Sequence, residues 1–80
     1  MSIAAAAYIY QGSIPDDVKS ALGNIKNAQC IVGDVRVCRA FQTARIPTLV
    51  LYNAAGEETA RASGTLHIPE LIKQTMTEAD

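Results

Sequence analysis

No tryptophan occurs in this chain, and it holds only one phenylalanine and three tyrosines. Any core must therefore be aliphatic and rich in Ala and Val rather than aromatic. Charge of one sign is missing as well, since seven Lys and Arg stand against eight Asp and Glu for a net charge of −1. Lys19, Lys26 and Lys73 are separated, and Arg36, Arg39 and Arg45 form at most a local patch. The basic footprint of a nucleic-acid or acidic-membrane binder is absent. Two cysteines and one histidine are too few for a disulfide scaffold or a paired-ligand zinc site, so neither metal nor cofactor is expected. The apolar run over residues 3–10 is short and has no basic segment ahead of it, and its removal would delete a piece the fold needs. It reads as a buried strand rather than a signal peptide. A cytoplasmic location with reduced thiols follows as the expectation.

An apolar share of 49% over 80 residues fits one small folded domain, residues 1–80. A chain of this size buries only about 60–65% of its unfolded surface. Residues 3–10 predict the first strand, bounded by Gln11-Gly12. Ser13 reads as a helix N-cap with Pro15 in the first turn and Asp16 three positions on, close to a capping box. Helix one is predicted to about residue 27, with Val18, Ala21, Leu22 and Ile25 on one face. Residues 29–32 predict a short buried strand, residues 35–43 a second helix, and residues 48–53 a third strand. A turn at Gly56 and an edge strand over 58–62 follow, with Glu58 and Arg61 outward. The last helix starts near His67, has Pro69 in its first turn, and carries Leu71, Ile72 and Met76 on its sheet-facing side. The order is βαβαββα, in the α/β class. A four-stranded mixed sheet with helices on both faces satisfies it with right-handed crossovers.

The segment Ala44-Arg45-Ile46-Pro47-Thr48-Leu49-Val50-Leu51-Tyr52-Asn53 puts a proline directly ahead of an apolar strand. Proline belongs at a strand's first position, and an Ile-Pro bond can adopt the cis form. With Phe41 before it and Ser63-Gly64-Thr65 after the hairpin, this segment resembles the C-terminal half of the thioredoxin and glutaredoxin-like superfamily. Tyr8-Ile9-Tyr10-Gln11-Gly12-Ser13-Ile14-Pro15-Asp16-Asp17 resembles the strand, loop and helix start that carry the catalytic Cys-x-x-Cys of that superfamily. Ile14-Pro15-Asp16-Asp17 occupies the place of the tetrapeptide, and only the proline agrees. Tyr8 stands where thioredoxins keep a buried acid, and Ser13 where they keep a tryptophan. A thiol-disulfide exchanger needs a thiolate at a helix N-terminus and a second thiol one turn away. The resemblance therefore implies a minimal, redox-inactive member with no catalytic residues.

What the resemblance leaves is a peptide-binding edge. In the superfamily the residue before the cis-proline offers its backbone to an extended partner strand. By position this is Ile46, rimmed by Arg45, Pro47, Ile14, Pro15, Asp16, Ser63, Gly64 and Thr65. The expected function is recognition of a protein partner, as in adaptors and phage- or plasmid-borne effectors. The alternative is an atypical thiol-disulfide oxidoreductase, or a glutathione-binding glutaredoxin-like protein, using Cys30 or Cys38. A third class is a homo-oligomeric structural protein pairing through strand four or the Ile46 surface. Against these stand plainer readings. Cys30 and Cys38 read as buried core residues without a mutual disulfide. His67 and the Asp16-Asp17 pair read as helix-terminal residues, and Tyr8 and Tyr10 as packing residues.

Overall fold

The structure, a computed structural model, describes residues 3–78. Its elements are β1 (Ala5–Tyr10), α1 (Asp16–Gly23), β2 (Asn27–Val32), α2 (Val35–Ala40), β3 (Thr48–Tyr52), β4 (Glu58–Ser63) and α3 (His67–Glu78). The strands form one sheet in the order β2-β1-β3-β4. β1 runs parallel to β2 and antiparallel to β3, and β3 runs antiparallel to β4. This is a small α/β protein with a four-stranded mixed sheet and three helices, as the order of elements predicts.

The two unbroken apolar runs become the two central strands. A strand covered on both sides has no polar face, so its sequence does not alternate. Ala6 and Tyr8 of β1 and Leu49 and Leu51 of β3 meet Val18 and Leu22 of α1, Ile25, and Ile68 and Leu71 of α3 in one buried cluster. Residues of opposite parity, Ala7, Ile9, Thr48 and Val50, are buried too. Ile72 packs partly against the cluster, while the side chain of Met76 lies outside the described residues.

Four local expectations are corrected. Helix α1 begins after Pro15 rather than at Ser13, with no side-chain cap; Asp17 instead accepts its neighbour Val18's N–H at 2.9 Å. It ends at Gly23, where glycine weakens a helix, and the chain turns to bury Ile25. The residues 29–32 do not form a buried strand. β2 lies at the sheet edge with Cys30 exposed, because β1 is its sole neighbour in the sheet. A short apolar run does not reveal how many strands will flank it. Helix α2 stops at Ala40 rather than 43. Gln42 takes a left-handed φ of 55°, its N–H donates to the Arg39 carbonyl, and the Thr43 N–H donates to that of Cys38. That pair of bonds closes the helix as a Schellman motif.

The start of α2 is fixed by Asp34, whose carboxylate accepts the Val37 N–H at 2.8 Å. At the far edge, Arg61 and Glu58 form a two-pronged ion pair at 2.6 and 2.7 Å. Those bonds hold the Glu58 carboxyl below its ordinary range. Arg61 also donates to the carbonyls of Phe41 and Gln42, tying β4 to the end of α2. Because only the backbone of Gln42 is used there and a left-handed residue other than glycine is strained, Gln42→Gly is expected to stabilise the fold. The gain is about 0.5–1 kcal/mol, read as a raised denaturant midpoint with unchanged slope.

Candidate functional site

The loop between α2 and β3 is held by hydroxyls. The Thr48 side chain is completely buried, and its Oγ1 lies 2.6 Å from the Arg45 carbonyl. A carbonyl can only accept, so the one Thr48 hydrogen is committed there. Its oxygen is left to accept from Thr43 at 2.8 Å and Ser63 at 2.9 Å. One hydroxyl thus joins the loop, β3 and the end of β4. Gly64, with a left-handed φ of 95°, adds a second tie by donating its N–H to the Pro47 carbonyl at 2.9 Å.

Between these ties the Ile46-Pro47 bond is cis. The Arg45 and Pro47 carbonyls are engaged on either side, yet the N–H and C=O of Ile46 have no hydrogen-bond partner among the described residues. The Ile46 side chain turns inward against Gly33. A Cβ built on Gly33 would lie 2.5 Å from Ile46 Cδ1 and 2.9 Å from Ile9 Cγ2. Glycine there is a requirement of close approach rather than of backbone conformation.

A concavity lies on each side of the cis bond. The first, of about 150 Å³, is lined by Tyr8, Pro15, Asp17, Pro47, Thr65 and Pro69, with Val18 and Ile68. The second is an open groove of about 630 Å³, bordered by Gln11, Val35, Cys38, Arg39, Thr43 and Ile46 among others. Tyr8 stacks on Tyr10 with ring centres 5.7 Å apart. Burial, and after it the negative charges of Asp17 and of Cys30 when ionised, raise the Tyr8 phenol above its ordinary value.

The expected rim is only partly assembled. Pro15, Pro47 and Thr65 share the first concavity, and Ile46 borders the second. Ile14 packs half-buried against the core, and Asp16 points to solvent while its neighbour Asp17 enters the cavity. Arg45 is exposed, and its carbonyl rather than its side chain is fixed. Ser63 is half-buried, and its hydroxyl is engaged with that of Thr48 at 2.9 Å. Thr43, Thr48, Gly33, Tyr8 and Asp17 were missed as contributors. A threonine opening an otherwise aliphatic strand and a glycine closing β2 were the available signals.

Both cysteines are free, Cys30 exposed and Cys38 half-buried, so neither is a core residue. Among the described residues no group of three or more His, Cys, Asp or Glu could hold a metal ion, and no helix is long and apolar enough to cross a membrane. Comparison with family models, curated proteins and solved structures finds no match.

Thr48→Val keeps the shape but leaves the Arg45 carbonyl with a weaker partner and the Ser63 hydroxyl with none at close range. A loss of about 1–3 kcal/mol in unfolding free energy is expected, against about 1 kcal/mol or less for Ser63→Ala. Tyr8 binds its proton more tightly in the folded chain than in the unfolded one. Its contribution is therefore complete below about pH 10 and is lost as pH rises through the higher folded value. Unfolding free energy should decline as pH is raised above the ordinary phenol value of about 10. Tyr8→Phe should flatten that decline.

Proposed function

We propose that this chain is a thioredoxin-fold binding module without thiol-disulfide chemistry, which takes an extended segment of a protein partner on the edge at Ile46-Pro47. The observation that carries the reading is that the N–H and C=O of Ile46, beside a cis peptide bond, have no partner among the described residues, with a concavity on either side. An extended peptide lying there adds backbone hydrogen bonds to Ile46 and sends alternate side chains to the two sides. In this reading α1 and α3 cover one face of the sheet and α2 the other, which completes the superfamily's layering. The cavity bearing Pro15, Pro47 and Pro69 suits a small apolar side chain. Asp17 sets a negative charge at its margin.

The redox-inactive part of the reading is supported by what stands at the start of α1. Ile14 and Asp17 occupy the two positions that need thiols, and an aliphatic group there permits binding without attack. Two unbridged cysteines suit a reducing compartment such as the cytoplasm. One observation favours the alternative of a thiol enzyme or glutathione binder: Cys38 borders the groove that Ile46 also borders.

The decisive experiment titrates the chain with a pool of extended apolar peptides while following its backbone amide resonances. Shifts are expected at Ile46, Gly64 and Thr65, with equal affinity in a Cys30→Ser/Cys38→Ser variant. Thr65→Trp fills the first cavity from an exposed position and should weaken binding about tenfold or more, the equivalent of about 1.4 kcal/mol. Dithiol-dependent reduction of a disulfide substrate, or a glutathione adduct that requires Cys38, would replace this reading with the alternative.

A further inference from the structure

The two edges of the sheet are built differently. Along β4 the register with β3 shifts between Leu51 and Tyr52, and Glu58 and Arg61 hold an ion pair at the margin. Bulges and charges of this kind keep an edge from pairing with another strand. The opposite edge has neither. β2 reads Asn27-Ala28-Gln29-Cys30-Ile31-Val32, with no charge and no proline, and its register with β1 is unbroken.

The phase of β2 is fixed by the Gly33 N–H, which donates to the Tyr10 carbonyl of β1. Backbone groups alternate in direction along a strand, so those of Gln29 and Ile31 turn toward β1. Those of Ala28, Cys30 and Val32 turn away from the sheet, where no strand lies among the described residues. Val32 also leaves 64% of its surface exposed, and Val35 beyond it 71%.

We propose that β2 pairs antiparallel with β2 of a second copy of this chain, about a two-fold axis at Cys30, joining two four-stranded sheets into one. Outward groups must meet outward groups, which restricts the pairing to registers that set even-numbered residues opposite each other. Centring on Cys30 places Ala28 against Val32 of the second copy, twice by symmetry, and Cys30 against its own equivalent. The same register sets Lys26 at one end of β2 opposite Asp34 of the second copy, again twice. Both residues are exposed, and Asp34 uses one carboxylate oxygen on the Val37 N–H, leaving the other for a cation. The neighbouring permitted registers, centred on Gln29 or Ile31, set Lys26 opposite Val32 or Arg36 and lose this match. Charge complementarity of the strand with itself therefore selects both the partner and the register. Two backbone hydrogen bonds form at the Cys30 pair and two at each Ala28–Val32 pair, and Val32 is covered.

This surface adjoins the groove beside Ile46, which Asp34 and Val35 also border, but Cys30 and Lys26 do not line that groove, so substitutions there test the two apart. Sedimentation of the reduced full chain from about 10 μM to about 1 mM spans the range where a small interface associates. The mass is expected to rise from one chain toward two, while the Ala28, Cys30 and Val32 amides exchange more slowly with deuterium as concentration increases. Cys30→Lys opposes two ammonium groups at the axis and should hold the chain monomeric. Lys26→Glu, which faces Asp34 with a like charge, should weaken association about tenfold at low salt and less at high salt. In a Cys38→Ser background a short bismaleimide should link Cys30 to Cys30 across the dimer. A mass that stays at one chain overturns the proposal, including when a different protein proves able to cover β2. So does a dimer that Cys30→Lys and Lys26→Glu leave unchanged.

Discussion

The path of the chain from α2 into β3 depends on the hydroxyl of Thr48. It is buried where no water competes, it has one hydrogen to give, and the Arg45 carbonyl takes it at 2.6 Å. Its oxygen then gathers Thr43 from the loop and Ser63 from β4. The Arg45 and Pro47 carbonyls are both occupied, while the polar groups of Ile46 between them have no partner among the described residues. A buried polar cluster in which every member is satisfied holds its surroundings to one arrangement. The open backbone groups at Ile46 are thus a product of how tightly their neighbours are held.

Much of the architecture was legible because it rests on long apolar signals. The runs that became β1 and β3, the helical spacing of Val18, Ala21 and Leu22, and the Gly56 turn each report a local preference that the fold obeys. Asn53 reinforces that turn by accepting the N–H groups of Ala55 and Glu57. What stayed hidden depends on neighbours distant in sequence. Whether residues 29–32 lie inside the sheet or at its edge is decided by how many strands flank them. Likewise Ser63 reads as a polar residue beside a glycine, and nothing local tells that its hydroxyl is spoken for by a residue fifteen positions earlier.

The site was legible to a similar depth. A proline ahead of an apolar strand pointed to Ile46-Pro47, and Pro15 and Thr65 were brought to the same cavity. The choice between Asp16 and Asp17 could not be made from spacing, since adjacent residues at the start of a helix differ by about 100° in direction. Cys38 was expected inside and borders the groove, because α2 is too short to present a wide apolar stripe and buries none of its residues fully.

Gly33 and Ile46 divide one small volume between them. A methyl at position 33 would stand 2.5 Å from the tip of Ile46 and 2.9 Å from a branch of Ile9. Overfilling such a space costs about 1–3 kcal/mol unless a neighbour shrinks. The Ile46 tip belongs to a side chain that can be shortened, whereas the Ile9 branch sits in the centre of the sheet. Under sequence drift the three sites therefore move together: a smaller residue at 46 relieves one of the two close approaches, and a side chain at 33 is admitted only when position 9 gives way as well.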